Sequence, residues 1–178
     1  GRLRGLGTRN VDRLHQQAGH QEVVDLHGRL DQVICMDCAR IVPRRDIQAW
    51  LEAKNPQLQE QSFQPAPDGD ADMEMDFSTV EVPLCAACGG TLKPHVVFFG
   101  DSVQRRIVEQ ISAKVERADG VLVVGSSLMV FSSFRFIRHA HANKVPVAAL
   151  NQGVTRADDL FTFKVAEPAD QLDAIIAR

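Results

Sequence analysis

The chain has no apolar run approaching the ~20 residues that a membrane-spanning helix needs. It has no surplus of positive charge either. The formal net charge is -3, which argues against a general nucleic-acid binder. No Gly-x-Gly-x-x-Gly and no Walker loop occurs, so the usual pyrophosphate-cradling turn of a dinucleotide site is missing. Nothing resembles a secretory signal, and the first residue is Gly1 rather than Met, so a piece of a longer protein is expected. Cysteine is scarce as well: there are only four. What is present is ordinary for a soluble globular chain, with 44% hydrophobic and 24% charged residues. At 178 residues it can form one domain and a small module.

The four cysteines form two Cys-x-x-Cys pairs, Cys35/Cys38 and Cys85/Cys88. Two residues between thiolates let both sulfurs reach one ion from a tight turn. Two such turns complete the closed tetrahedral shell of a structural Zn2+. Gly89-Gly90 follows the second pair, as a turn with positive φ favours. Redox dithiols or disulfides are the alternatives. A redox dithiol needs only one pair beside a helix start, and disulfides need an oxidising compartment. A closed shell leaves no coordination position for chemistry, so this zinc should hold structure.

Short apolar runs bounded by turn residues mark strands at His95–Phe99, Val121–Val124, Val145–Leu150 and, more weakly, Phe161–Val165. Helices are expected between them at Val103–Ala118 and Ser132–Asn143, and at the end over Ala169–Ala177. Val103, Ile107, Ile111 and Val115 lie four apart on one helical face. The alternation predicts an α/β fold, a doubly wound Rossmann-like parallel sheet covered on both faces. A small zinc module, 35–91, is inserted into a domain made of 1–34 and 92–178. The module should contain a helix over Asp46–Ala53 with Trp50. The acidic stretch 65–76 fails as a calcium loop, because the sixth position from Asp68 is Met73 and the twelfth is Thr79. A solvated loop is expected there.

Ligands of doubly wound sheets sit beyond the carboxyl ends of the strands. The candidates are therefore Gly125-Ser126-Ser127 after the second strand, Asn151 and Gly153 after the third, and Asn10 and Asp12 after a short segment at Leu3–Gly7. The Gly-Ser-Ser turn offers backbone N–H groups and hydroxyls to a ribose or phosphate, and equally makes an ordinary helix cap. Asn10 and Asp12 fit a ligand contact or an Asx turn. His27, in Asp25-Leu26-His27-Gly28, has the right side chain for a general base near neutral pH. The other five histidines carry no such expectation.

Taken together, these segments resemble the sirtuins, the NAD-dependent protein lysine deacylases. The resemblance rests on Thr8–His15, Asp25–Gly28, the four cysteines, Lys93–Asp101, Val123–Leu128 and Leu150-Asn151, in the family's order. The long zinc insert, Phe98-Phe99-Gly100-Asp101-Ser102 and Thr155–Leu160 look most like class II members, which include a mitochondrial lipoamidase and ADP-ribosyltransferase. The resemblance implies NAD+ as co-substrate, one structural Zn2+ and an acyl-lysine protein or peptide as substrate, with no nucleic acid and no membrane. The acyl oxygen attacks C1′ of the nicotinamide ribose, and nicotinamide leaves. A base then deprotonates a ribose hydroxyl, which attacks the acyl carbon, and O-acyl-ADP-ribose results. His27 matches that base. Arg9, Asn10, Val11 and Asp12 match the nicotinamide end of the NAD site. Gly125, Ser126, Ser127, Asn151, Gln152, Gly153 and Ala169 match the ribose and adenine side. Val97, Phe98, Phe99 and Gly100, with Leu128 opposite, match the edges between which the substrate peptide adds as a strand. A bacterial cytoplasmic setting is expected, with a mitochondrial one as the alternative.

The sequence departs from the family in three places. The family's N-terminal Gly-Ala-Gly-x-Ser turn, cofactor loop and first strand are not among these residues, so little deacylase activity is expected of this stretch alone, together with an exposed sheet edge. Arg9 replaces the usual Gln. It has donors only, so it cannot repeat an amide's paired contacts, and a phosphate would suit it better. Gly7 stands where an apolar strand residue is usual. Protein mono-ADP-ribosyl transfer or lipoamidase chemistry, and a catalytically idle peptide-binding module, are the competing readings.

Overall fold

The computed structural model describes residues 3–58 and 77–167. Along them run β1 (Leu6–Thr8), α1 (Leu14–Gln17), β2 (Val23–Asp25), β3 (Gly28–Cys35), β4 (Ile41–Pro43), α2 (Arg44–Lys54), β5 (Leu92–Val96), α3 (Arg105–Glu116), β6 (Val121–Val124), α4 (Phe131–Ala142), β7 (Val147–Leu150) and β8 (Phe163–Val165). The expected closing helix over 169–177, Ala169 within it and the acidic stretch 65–76 lie outside the described residues. The chain divides into two compact units, Gly1–His27 with Val97–Arg178, and Gly28–Val96. The expected module bounds of 35 and 91 fall inside the second unit, because β3 and β5 are paired with each other.

The first unit carries the parallel strands of a Rossmann-like arrangement. β1 pairs with β2, and β7 lies between β6 and β8, all in parallel. Parallel neighbours require crossovers, and α4 supplies the one between β6 and β7. The core gathers Val115 from α3, Val123 from β6, Phe136, Ile137 and Ala140 from α4, and Val147 and Ala149 from β7, with Leu26 and Leu128. Ile107 and Ile111 pack against it, so the four-residue spacing read in the sequence is the buried stripe of α3. In the central strand, Val147, Ala149 and Leu150 are all buried. In β6 burial alternates: Val123 is 8% exposed, whereas Leu122 and Val124 are 53% and 38% exposed. Cover on both faces therefore holds for β7 and not for β6 among the described residues.

One strand differs from expectation. The run His95–Phe99 was expected in the parallel sheet. The strand is instead Leu92–Val96, and it pairs antiparallel with β3 in the second unit. Pro94 lacks the N–H that a central strand needs on both sides. Among the described residues β5 has only β3 beside it, so the missing donor can be tolerated. Beyond it the chain turns: Asp101 N–H donates to Phe98 O at 3.0 Å, and Gly100 takes φ +91°.

The second unit is a three-stranded antiparallel sheet, in the order β4-β3-β5, together with α2. Asn55, at the end of α2, is fully buried. Its amide donates to Leu51 O and Glu81 O, both at 3.0 Å, and its Oδ1 accepts from Glu81 N–H at 2.7 Å. One side chain thus pins the returning chain to α2, and no sequence pattern marked it.

Candidate functional site

Two sites are built, one in each unit. The first is the cysteine cluster. Each Cys-x-x-Cys forms the same knuckle. Ala39 N–H donates to Cys35 O at 3.0 Å, and Gly89 N–H donates to Cys85 O at 2.7 Å. Cys35 N–H then closes on Arg40 O, and Cys85 N–H on Gly90 O, each at 2.9 Å. The residue after each second cysteine has positive φ, +57° at Ala39 and +74° at Gly89. Gly90 serves a different need. A Cβ there would collide with the Asp37 carboxylate, which accepts from Thr91 N–H at 2.9 Å.

The four Sγ atoms lie within 4.8 Å of one another, with Cys35–Cys88 at 3.5 Å and Cys38–Cys85 at 3.7 Å. Tetrahedral Zn2+ with Zn–S near 2.3 Å places sulfurs about 3.8 Å apart, so the donor set fits that ion. The electrostatics agree. Backbone N–H groups of Ala87 and Cys88 bring the Cys85 thiol down to about 7. The Gly90 N–H also favours a thiolate at Cys88, but the sulfurs of Cys38, Cys35 and Cys85 outweigh it and push that thiol up to about 12. Four thiolates coexist only around a cation, and Zn2+ supplies that charge. All four cysteines are free thiols, which excludes the disulfide alternative in this state.

The second site is made at strand ends of the first unit. β1 ends at Thr8, whose Oγ1 accepts from Asn10 N–H at 3.0 Å. Asp12 Oδ1 accepts from Leu14 N–H at 3.0 Å, an Asx turn that opens α1. Arg13, at φ +70°, pairs with Asp25 at the end of β2, and Gln16 donates to the other Asp25 oxygen at 3.0 Å. Asn10 and Asp12 are exposed, and Val11 is partly buried. Arg9 is partly buried too, and its Nε is fully enclosed with no acceptor among the described residues.

His27 follows β2. Its carbonyl accepts from Val97 N–H at 2.8 Å, and its Nε2 lies 2.8 Å from Ser132 Oγ on α4. Burial, and secondly the positive charge of Arg9, hold its imidazole below the ordinary value, so it is neutral at pH 7. Nothing in the sequence marks Ser132. Only its contact with His27, 105 residues away, reveals it.

Gly125-Ser126-Ser127 turns at the end of β6. Gly125 takes φ +59°, its N–H donates to Leu150 O at 2.9 Å, and Ser126 Oγ accepts from Leu128 N–H at 3.3 Å. Asn151, Gln152 and Gly153 follow β7. The Asn151 amide donates to Gly153 O at 3.0 Å, and Gln152 and Gly153 are exposed. Of the expected peptide edge, Val97 holds His27, Phe98 and Phe99 are 51% and 100% exposed, and Leu128 is 3% exposed in the core at φ +56°. Leu128 therefore offers only main chain to a ligand. Its side chain is structural.

The Sir2 family model matches residues 1–132, a stretch that includes His27 and all four cysteines. The chain belongs to the Sir2 family. It is 54% identical over 168 residues to an NAD-dependent protein deacetylase 2 of Bradyrhizobium diazoefficiens, covering 94% of this chain and 62% of that protein. It is 54% identical over 177 residues to an NAD-dependent protein deacetylase of Xanthomonas axonopodis pv. citri, covering 99% and 60%. A bovine protein named NAD-dependent protein lipoamidase sirtuin-4, mitochondrial, is 43% identical over 177 residues, covering 99% and 56%. The chain thus spans 60–62% of the length of these two bacterial relatives. Among solved structures, Sir2 bound to acetylated peptide aligns with TM-score 0.75 at 23% identity, over 98% of this chain and 62% of that one. Sir2 with a p53 peptide and NAD+ aligns at 0.74 and 24%, over 98% and 62%. At that identity the structures establish the fold alone.

Proposed function

We propose that this Sir2 chain serves an NAD-dependent protein-lysine deacylase of the deacetylase type, releasing nicotinamide and O-acyl-ADP-ribose. The observation that carries the reading is His27. It is a neutral imidazole at a strand end, within hydrogen-bond reach of a hydroxyl, in a family whose chemistry needs a base for a ribose hydroxyl. NAD+, when bound, supplies the electrophilic C1′ carbon. The chain's own residues bind and orient. The exposed residue Asn10 and the Gly125–Ser127 turn face the cofactor, and Arg9 adds positive charge near His27. The Phe98–Gly100 turn, whose phenylalanines are exposed, lies where an acyl-lysine peptide would add. One Zn2+ on Cys35, Cys38, Cys85 and Cys88 stabilises the second unit and takes no part in the reaction. The expected setting is the bacterial cytoplasm, in keeping with the bacterial relatives.

The test is nicotinamide release from NAD+ with an acetyl-lysine peptide, using zinc-loaded chain and His27→Ala. The 178 residues hold no glycine-rich pyrophosphate loop, so the expected rate is low. What is present should require the peptide, and product should fall about 100-fold or more without the base. Peptide-dependent product that is indifferent to His27 would overturn the reading. The relative named a lipoamidase makes lipoyl-lysine the second peptide to try.

A further inference from the structure

We propose that Ser132 is a positioning residue for His27: its hydroxyl donates to Nε2, holds the ring as the Nδ1–H tautomer, and keeps the basic lone pair where the substrate hydroxyl must arrive. The inference rests on the deacylase reading, in which His27 is the base.

Both ends of the 2.8 Å contact are anchored independently. The His27 main chain is fixed by Val97 N–H on its carbonyl. Its ring would otherwise keep two free torsions. Ser132 lies in the first turn of α4, two residues past the N-cap Val130, which has no side-chain bond. Its neighbour Ser133 turns its Oγ back to donate to Val130 O at 3.2 Å. The Ser132 hydroxyl is left to His27.

The turn that delivers Ser132 is held from outside the helix. Arg156 N–H donates to Ser127 O at 2.9 Å, and its guanidinium donates to Met129 O at 3.0 Å. The same guanidinium carbon lies 4.6 Å from the Phe134 ring centre. Leu128, buried with φ +56°, sets the direction of the chain into α4. Ser132 is therefore placed by rigid neighbours rather than by its own helix end.

A neutral imidazole has one donor nitrogen and one acceptor. A base that works through Nε2 needs the lone pair there, hence the proton on Nδ1. A hydroxyl donating to Nε2 selects that tautomer. The substrate hydroxyl then takes the Ser132 position on Nε2 and passes its proton to that nitrogen. A serine hydroxyl can also accept, so it can receive a hydrogen bond from the imidazolium once the product oxygen has left.

Two readouts test this in the zinc-loaded chain. Imidazole nitrogen–proton correlation spectra should show His27 as Nδ1–H in the parent, a shift toward Nε2–H in Ser132→Ala, and recovery in Ser132→Thr. Product formation should drop about tenfold in Ser132→Ala, whereas exchange of labelled nicotinamide into NAD+, which precedes the base step, should stay within about twofold. The same tautomer in parent and Ser132→Ala, a faster variant, or exchange and product falling together would overturn the proposal. If no nicotinamide exchanges at all, the deacylase reading fails, and the tautomer spectra still decide the role of Ser132.

Discussion

The two sites are assembled in opposite ways. The cysteine cluster is local twice over. Each knuckle is closed by its own backbone, from Cys35 to Arg40 and from Cys85 to Gly90, before the halves meet. The His27 site is local nowhere. Its base comes from the end of β2, the hydroxyl on it from α4, 105 residues later, and the nearby positive charge from Arg9, after β1. A site made of preformed knuckles needs an ion to finish it. A site made of distant side chains needs the sheet to finish it. The two should therefore fail under different insults.

The largest effect expected is on the cysteine side. Chelation, or Cys85→Ser, removes an ion whose binding free energy in small zinc modules is on the order of 10 kcal/mol. The second unit should lose its ordered structure and the chain its one equivalent of zinc, as read by circular dichroism and metal analysis. The parallel strands of the first unit, which no zinc ligand joins, should keep more of their amide-exchange protection. Retention of the β3–β5 pairing in the metal-free chain would break the comparison.

Asn55→Ala comes next. It strips three side-chain hydrogen bonds from a fully buried position and takes this partner from both Glu81 N–H and Glu81 O, while Leu51 O keeps the backbone N–H of residue 55. A loss of about 3 kcal/mol is expected in denaturant unfolding, confined to the second unit. Zinc should still bind, because no ligand is touched. A smaller effect separates the knuckles from each other. Ala39 sits at φ +57° and Gly89 at φ +74°, in equivalent places. Ala39→Gly should relieve strain and Gly89→Ala should introduce it, each by about 1 kcal/mol and with opposite sign. Equal signs in thermal unfolding would mean that the knuckles are not equivalent.

The local site was also the legible one. Spacing alone identifies Cys35, Cys38, Cys85 and Cys88, and the glycine pair, because knuckle geometry is encoded within six residues. Helical periodicity likewise identifies α3, whose stripe needs no knowledge of its partner. The run His95–Phe99 points to the parallel sheet and the strand lies elsewhere, because an apolar run does not say which neighbour it pairs with; Pro94 is the sign of an edge. Asn55 and Ser132 left no signal, since a buried amide and a helix-start serine look like any others until their partners 26 and 105 residues away are known. The same limit explains Leu128. A resemblance places it beside the substrate, while its buried side chain serves the core.

The smallest effect expected lies on the assembled side and tests its electrostatics. Burial is the main reason that His27 resists protonation, and the Arg9 charge is the second. Arg9→Gln removes only the second, so the imidazole should rise toward its ordinary value without reaching it. Arg9→Lys, which keeps the charge, should move it less. The acid limb of product formation should follow to higher pH in Arg9→Gln, with the alkaline rate unaffected by this cause. Stability should change in step. A histidine held below its unfolded value binds fewer protons when folded, so folding is favoured above about pH 6.5 and weakened as pH falls below it. Arg9→Gln should shrink that acid penalty. The His27 ring-proton titration, followed by NMR in both variants, measures the shift directly. An unchanged titration in Arg9→Gln would mean that burial alone keeps the base neutral.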